Sequence, residues 1–146
     1  MLIAIIIGGA LVFAGAFFHF LALRKSAMVV DPSQHALRCF SLSMIVIIVA
    51  HLITALVFAA AFHVAEFKLG LGILSATGIE EPAPDFMDRF YFSLVNLTTL
   101  GRGDLLPTGH LRFLTALEAL LGFIVITGSG AFLLKVMSGE NPLRRS

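Results

Sequence analysis

The sequence predicts an all-α membrane protein: three transmembrane helices plus a short re-entrant helix and the loop that follows it. Three features carry that fold class. Of the 146 residues, 58% are hydrophobic and 13% charged, with a mean hydropathy of +0.98. That balance leaves no polar shell for a soluble domain of this size. The apolar residues gather into three long runs, each near the roughly 20 residues a helix needs to cross hydrocarbon. Between the second and third runs lies an amphipathic stretch too short to cross.

The first run is Met1 to Leu23. It has no basic start and is followed by Arg24 and Lys25, the reverse of a cleaved leader, so it reads as a retained span. Residues 24–39 read as a loop that carries Arg24, Lys25 and Arg38, with Asp31-Pro32 as a turn. The second span runs from Phe40 to Phe62, just after the single cysteine, Cys39. One cysteine excludes an intramolecular disulfide, and a small buried side chain is the simplest role for it. From His63 to Asp88 the chain turns acidic, with Glu66, Glu80, Glu81, Asp85 and Asp88 against Lys68. Gly70, Gly72, Gly78, Pro82 and Pro84 interrupt any long helix there. The amphipathic stretch Asp85 to Thr99 follows. Leu111 to Met137 is the third span, and 138–146 is a tail.

Lysine and arginine favour the cytoplasmic side of a span. The loop at 24–39 and the C-terminal Lys135, Arg144 and Arg145 therefore share one side. The N-terminus and the acidic segment fall on the other. The expected location is the cell membrane, multi-pass, with the segment before the third span outside and the C-terminus cytoplasmic.

The segment Tyr91-Phe-Ser-Leu-Val-Asn-Leu-Thr-Thr-Leu-Gly-Arg-Gly-Asp104 reads as a short helix running into a glycine-containing extended strand. Irregular backbone at membrane depth survives only when buried in protein or lining a water-filled cavity. Several copies around an axis provide such a cavity, and carbonyl oxygens there can replace a cation's hydration shell. Gly101 and Gly103 allow the backbone angles this needs, and Thr99 adds a hydroxyl.

Thr99-Leu100-Gly101-Arg102-Gly103-Asp104 resembles the potassium-channel signature Thr-Val-Gly-Tyr-Gly-Asp. With Tyr91-Phe92-Ser93, Thr98, Pro107 and Ala116 to Gly122, residues 40–137 resemble the pore module of the small two-helix potassium channels of prokaryotes. The first span, 1–23, is extra to that module. The resemblance implies a homotetrameric, potassium-channel-like pore in a lipid bilayer, with K+ as the permeant ion and no cofactor. It places Thr99, Leu100, Gly101, Arg102 and Gly103 in the ion filter and Asp104 at its mouth. Gly122 resembles the inner-helix hinge, and Gly128 and Gly130 form a second flexible point. Close packing through small residues is the alternative role for these glycines.

Arg102 departs from the family pattern, where an aromatic stands. Facing the ion path, four guanidinium groups would favour anions. Behind the filter, each needs a carboxylate, for which Asp88, Asp104 and Glu118 are the candidates. The function expected is an ion channel passing monovalent cations with altered selectivity. A non-conducting channel-like subunit and an anion-permeable pore created by Arg102 are the alternatives.

Glu118, an ionisable residue within a span, is a functional candidate by position, or else a structural partner of Arg112 or Arg102. His19 and His51 read as neutral groups hydrogen-bonded between helices, with proton sensing as the alternative. His63 and Glu66 can meet on one helix face, but two ligands make a poor metal site. Nothing in the chain shows a nucleophile–base spacing, a phosphate-binding loop or a nucleic-acid-binding pattern, so no enzyme activity is expected.

Overall fold

A computed structural model describes residues 1–29, 36–76, 83–101 and 104–139. The elements in chain order are α1 (Leu2–Val29), α2 (Ala36–Phe67), β1 (Leu74–Ala76), α3 (Phe86–Leu97), β2 (Leu105–Pro107) and α4 (Leu111–Met137). Helices α1, α2 and α4 are long and apolar enough to cross a membrane. The protein is a multi-pass membrane protein with the expected mostly helical architecture.

The long helices overrun the apolar stretches that define them. Helix α1 continues through Arg24 and Lys25 to Val29, and α2 begins before Arg38. The loop expected over 24–39 is thus helical at both ends. Long basic side chains can stay in a helix beyond the hydrocarbon because their charged heads reach water while their stems lie on apolar surface. The expected turn at Asp31-Pro32 lies outside the described residues.

Helix α1 packs against both α2 and α4. Gly8 and Gly15 form its contact face with α4, taking Leu117 and Leu121 where any larger side chain would intrude. Two buried polar contacts hold α1 to α2: Ser26 donates to Ser43 at 2.9 Å, and His19 Nε2 lies 3.1 Å from Thr54 Oγ1. Thr54 spends its proton on the Ala50 carbonyl (2.9 Å), so His19 Nε2 is the donor in that pair. Met1 N lies 3.1 Å from His110 Nε2. The start of α1 therefore sits at the same end of the bundle as the start of α4.

That end also holds the main core. Phe58 and Phe62 of α2, Phe92 and Leu97 of α3, and Leu114 and Leu121 of α4 are all buried in it. The Phe62 and Phe92 rings meet edge to face at 5.3 Å. A second cluster at the opposite end contains Ala27, Cys39, Ile47, Phe132 and Val136.

Strands β1 and β2 were not legible as strands. They pair antiparallel, with Leu74 opposite Pro107 and Ala76 opposite Leu105. The Thr108 and His110 amides extend the ladder to the carbonyls of Ile73 and Leu71. This hairpin-like clasp ties the exit of α2 to the entry of α4 and encloses α3 between them.

Candidate functional site

The site is built on α3. Its 12 residues span about 18 Å at 1.5 Å per residue, well short of the roughly 30 Å hydrocarbon core. Asp85 caps its start: the Asp88 amide donates to Asp85 Oδ1 (2.9 Å) and the Asp85 amide to Asp88 Oδ2 (2.8 Å). This reciprocal pair satisfies two amides that a helix start leaves without partners. Arg89, Phe92, Ser93 and Asn96 recur at helical spacing on its buried face.

Arg89 anchors the N-terminal end of α3. Its guanidinium is 3% exposed and meets the Glu66 carboxylate of α2, Nη2 to Oε2 at 2.8 Å and Nε to Oε2 at 3.3 Å. Its Nη1 donates to the carbonyls of Pro84 and Asp85, and its Cζ lies 5.1 Å from the Phe67 ring centroid. Glu66 Oε1 also accepts from the Leu74 amide at 3.4 Å. One buried pair thus joins α2, α3 and β1. His63 and Glu66, which helical spacing allows to meet, turn to different partners. His63 lies against Phe67 at 4.7 Å, because Glu66 turns to the buried cation.

The C-terminal end of α3 leads into the segment Thr99 to Asp104. Thr98 caps the helix, with its hydroxyl on the Leu94 and Val95 carbonyls. The next amides fold back rather than extending: Thr99 donates to the Asn96 carbonyl (2.9 Å), and Leu100 and Gly101 both donate to the Val95 carbonyl (3.1 and 3.4 Å). Thr99 to Gly101 therefore do not form the extended strand expected here, and the next strand among the described residues is β2, from Leu105. The reason is that the last carbonyls of a helix need donors, and backbone with positive φ supplies them. Thr99 has φ 60° and Gly101 φ 65°. Glycine adopts that angle freely. Thr99 is the one positive-φ residue other than glycine among the described residues, a strained position of the kind found at functional sites. Thr99, Leu100 and Gly101 are exposed on the isolated chain. Arg102 and Gly103 lie outside the described residues.

Of the carboxylates considered for Arg102, Asp88 and Asp104 border one cavity of about 350 Å³, beside Tyr91 and Leu105. Glu118 lies elsewhere, fully buried between α2, α3 and α4. Its Oε1 is in close hydrogen-bond contact with Ser93 Oγ, and Ser93 also donates to the Ala55 carbonyl at 2.8 Å. Arg112 is exposed and makes no contact with it.

Gly122 lies directly on the end of α3, where an added Cβ would collide with the Leu97 carbonyl oxygen. Close packing is the role the geometry gives it here. Gly128 and Gly130 have open space around their Cα atoms, and α4 is continuous through all three positions. His51 Nδ1 donates to its own helix at the Ile47 carbonyl (2.8 Å) rather than across to another. It sits edge-on to His19, ring centroids 4.6 Å apart.

Arg89, Ser93 and the Glu66 contact went unrecognised in the sequence. For Arg89 a signal existed: a basic residue four positions after the capping aspartate, on the apolar face of an amphipathic stretch. Nothing marked Ser93 as the partner of Glu118.

Residues 46–138, covering most of α2 and all of α3, the loop and α4, match the model of a family described as "Ion channel". The chain is also similar to the "Uncharacterized membrane protein YdjJ" of Bacillus subtilis (strain 168), 42% identical over 72 residues, which is 49% of this chain and 21% of that protein. The chain thus spans about a fifth of the length of the curated relative it matches. No solved structure matches it significantly. The match runs through the capped re-entrant helix, the loop that closes on Val95 and the helix that Gly122 presses against it, and it takes in well over half of the residues: the chain belongs to this ion channel family.

Proposed function

We propose that the protein is a homotetrameric, potassium-channel-like pore. It passes monovalent cations, K+ among them, through a filter formed by Thr99, Leu100, Gly101, Arg102 and Gly103, with selectivity altered by Arg102. The observation that carries this reading is the placement of the signature segment. It begins where a short re-entrant helix ends, and that helix is fixed at one end by Glu66 and at the other by Gly122. The C-terminal end of α3 carries the partly negative pole of the helix dipole, which favours a cation beside it. Each chain supplies one such loop, so a closed ring of carbonyls requires several copies. Asp104 stands at the mouth.

Arg24, Lys25, Arg38 and Lys135 all lie at the end of the bundle away from the loop. That distribution supports a cytoplasmic C-terminus, with the loop facing outside. The long helices carry exposed leucine, isoleucine and phenylalanine side chains, which suit lipid and neighbouring subunits. Gly128 and Gly130, where an added Cβ meets nothing within 4 Å, are the positions best suited to bending of α4, with Gly122 as the packed pivot above them.

Ion flux into liposomes holding the reconstituted protein tests this function. Potassium flux blocked by barium is expected. Chloride flux that disappears in Arg102→Tyr would instead assign an anion pore. An intact tetramer without flux for any ion would assign a non-conducting subunit.

A further inference from the structure

We propose that Glu118 is a positioning residue for the filter, and that it acts as a hydrogen-bond donor: its carboxyl group carries the proton that holds Ser93, and through it α3, against α4. This inference rests on the pore reading above for its functional consequence, but not for its chemistry.

The argument is a count of protons. Ser93 is fully buried, and its Oγ has two neighbours, the Ala55 carbonyl oxygen of α2 at 2.8 Å and Glu118 Oε1 of α4. A serine hydroxyl has one proton and two lone pairs. A carbonyl oxygen can only accept, so the Ser93 proton goes to Ala55. The contact with Glu118 then lacks a proton unless the carboxyl supplies it. An ionised Glu118 would set two acceptors against one donor. The surroundings agree with the neutral acid. Glu118 is fully buried, and its Oε2 has no hydrogen-bond partner among the described residues. No described cation pairs with it: Arg89 is taken by Glu66 and Arg112 is exposed. A carboxylate left buried and unpaired is strongly disfavoured, whereas a neutral acid loses only one acceptor contact.

The position gives the pair its purpose. Ser93 lies one turn before Leu97 on α3, and Glu118 lies one turn before Gly122 on α4. The two helices therefore touch at successive levels, first through the hydroxyl–carboxyl bond and then through the Leu97 carbonyl on Gly122. The lower contact is steric and tolerates rotation of α3 about its axis. The upper one is directional and fixes that rotation. The Val95 carbonyl, which gathers the Leu100 and Gly101 amides, turns with α3, so the bond sets the direction of the first filter residues.

Two measurements test this with Glu118→Gln, Glu118→Ala and the unchanged protein. The first is the infrared difference spectrum of unchanged protein minus Glu118→Gln at neutral pH. A neutral carboxylic acid carbonyl stretch is expected, and a carboxylate band in its place would overturn the proposal whether or not the protein conducts. The second is the relative permeability of K+ and Na+ in liposomes. Glutamine offers an amide proton to Ser93 in the same place, so Glu118→Gln should keep the permeability ratio of the unchanged protein within twofold. Glu118→Ala should change it severalfold even where the tetramer persists. Equal loss in both variants would overturn the positioning role. Absence of flux in the unchanged protein would instead refute the pore reading and leave the infrared result to decide the proton.

Discussion

The carbonyl oxygen of Leu97 and the Cα of Gly122 are in direct backbone contact, with no room between them for a side chain. This places the end of the re-entrant helix on a point of α4 where the absence of a side chain lets two backbones approach. Gly122→Ala should destabilise the protein by about 1–3 kcal/mol, the usual cost of overpacking. Gly128→Ala and Gly130→Ala meet no neighbour and gain helix propensity, so each should be neutral or stabilising by up to about 1 kcal/mol. Thermal unfolding of the detergent-solubilised protein separates the positions. Equal effects at Gly122 and Gly128 would contradict the packing role.

The Arg89–Glu66 pair is the second anchor of α3, with Arg89 buried and Glu66 largely so. Arg89→Leu alone leaves a buried carboxylate without its cation and should cost about 3–5 kcal/mol. The double replacement Arg89→Leu with Glu66→Leu removes both charges and should be less damaging than either single change. A double-mutant cycle on unfolding free energy checks the coupling, and additive effects would show that the pair contributes nothing.

Thr99 holds a left-handed backbone conformation, which costs an ordinary residue roughly 1–2 kcal/mol. Thr99→Gly should relieve that cost and raise stability while removing the hydroxyl from the proposed filter. Stability and ion selectivity are therefore expected to move in opposite directions. Loss of stability together with unchanged selectivity would refute the assignment of Thr99 to the filter.

Gly15 faces Leu121 and Gly8 faces Leu117 across the α1–α4 contact. Gly15→Leu should weaken that contact by about 1–3 kcal/mol and shift α1 away from α4. Cross-linking between cysteines placed at Gly8 and Leu117, which face each other, should fall in the Gly15→Leu protein. Unchanged cross-linking would show that α1 is not held there.

How much of this was legible in the sequence depended on the range of the interaction. The short helix was legible because its amphipathic spacing and its acidic start are local. The three spans were legible from hydropathy, but their ends were not: Arg24 and Lys25 look like a boundary, yet backbone hydrogen bonding carries α1 past them to Val29. Strands β1 and β2 are three residues each, too short to show a period. Helical spacing alone allows His63 and Glu66 to meet. A buried arginine 23 residues along the chain won the carboxylate, and no local pattern records that. At Gly122 a hinge and a packing contact look identical in sequence, and the approach of Leu97 is visible only in the structure.

The most direct test of the central claim is heavy-ion density. The protein in thallium or rubidium salt should show a row of ordered ions on a four-fold axis, at the level of Thr99 to Gly103. A tetramer with an empty axis at that level, or an assembly without four-fold symmetry, would contradict the account.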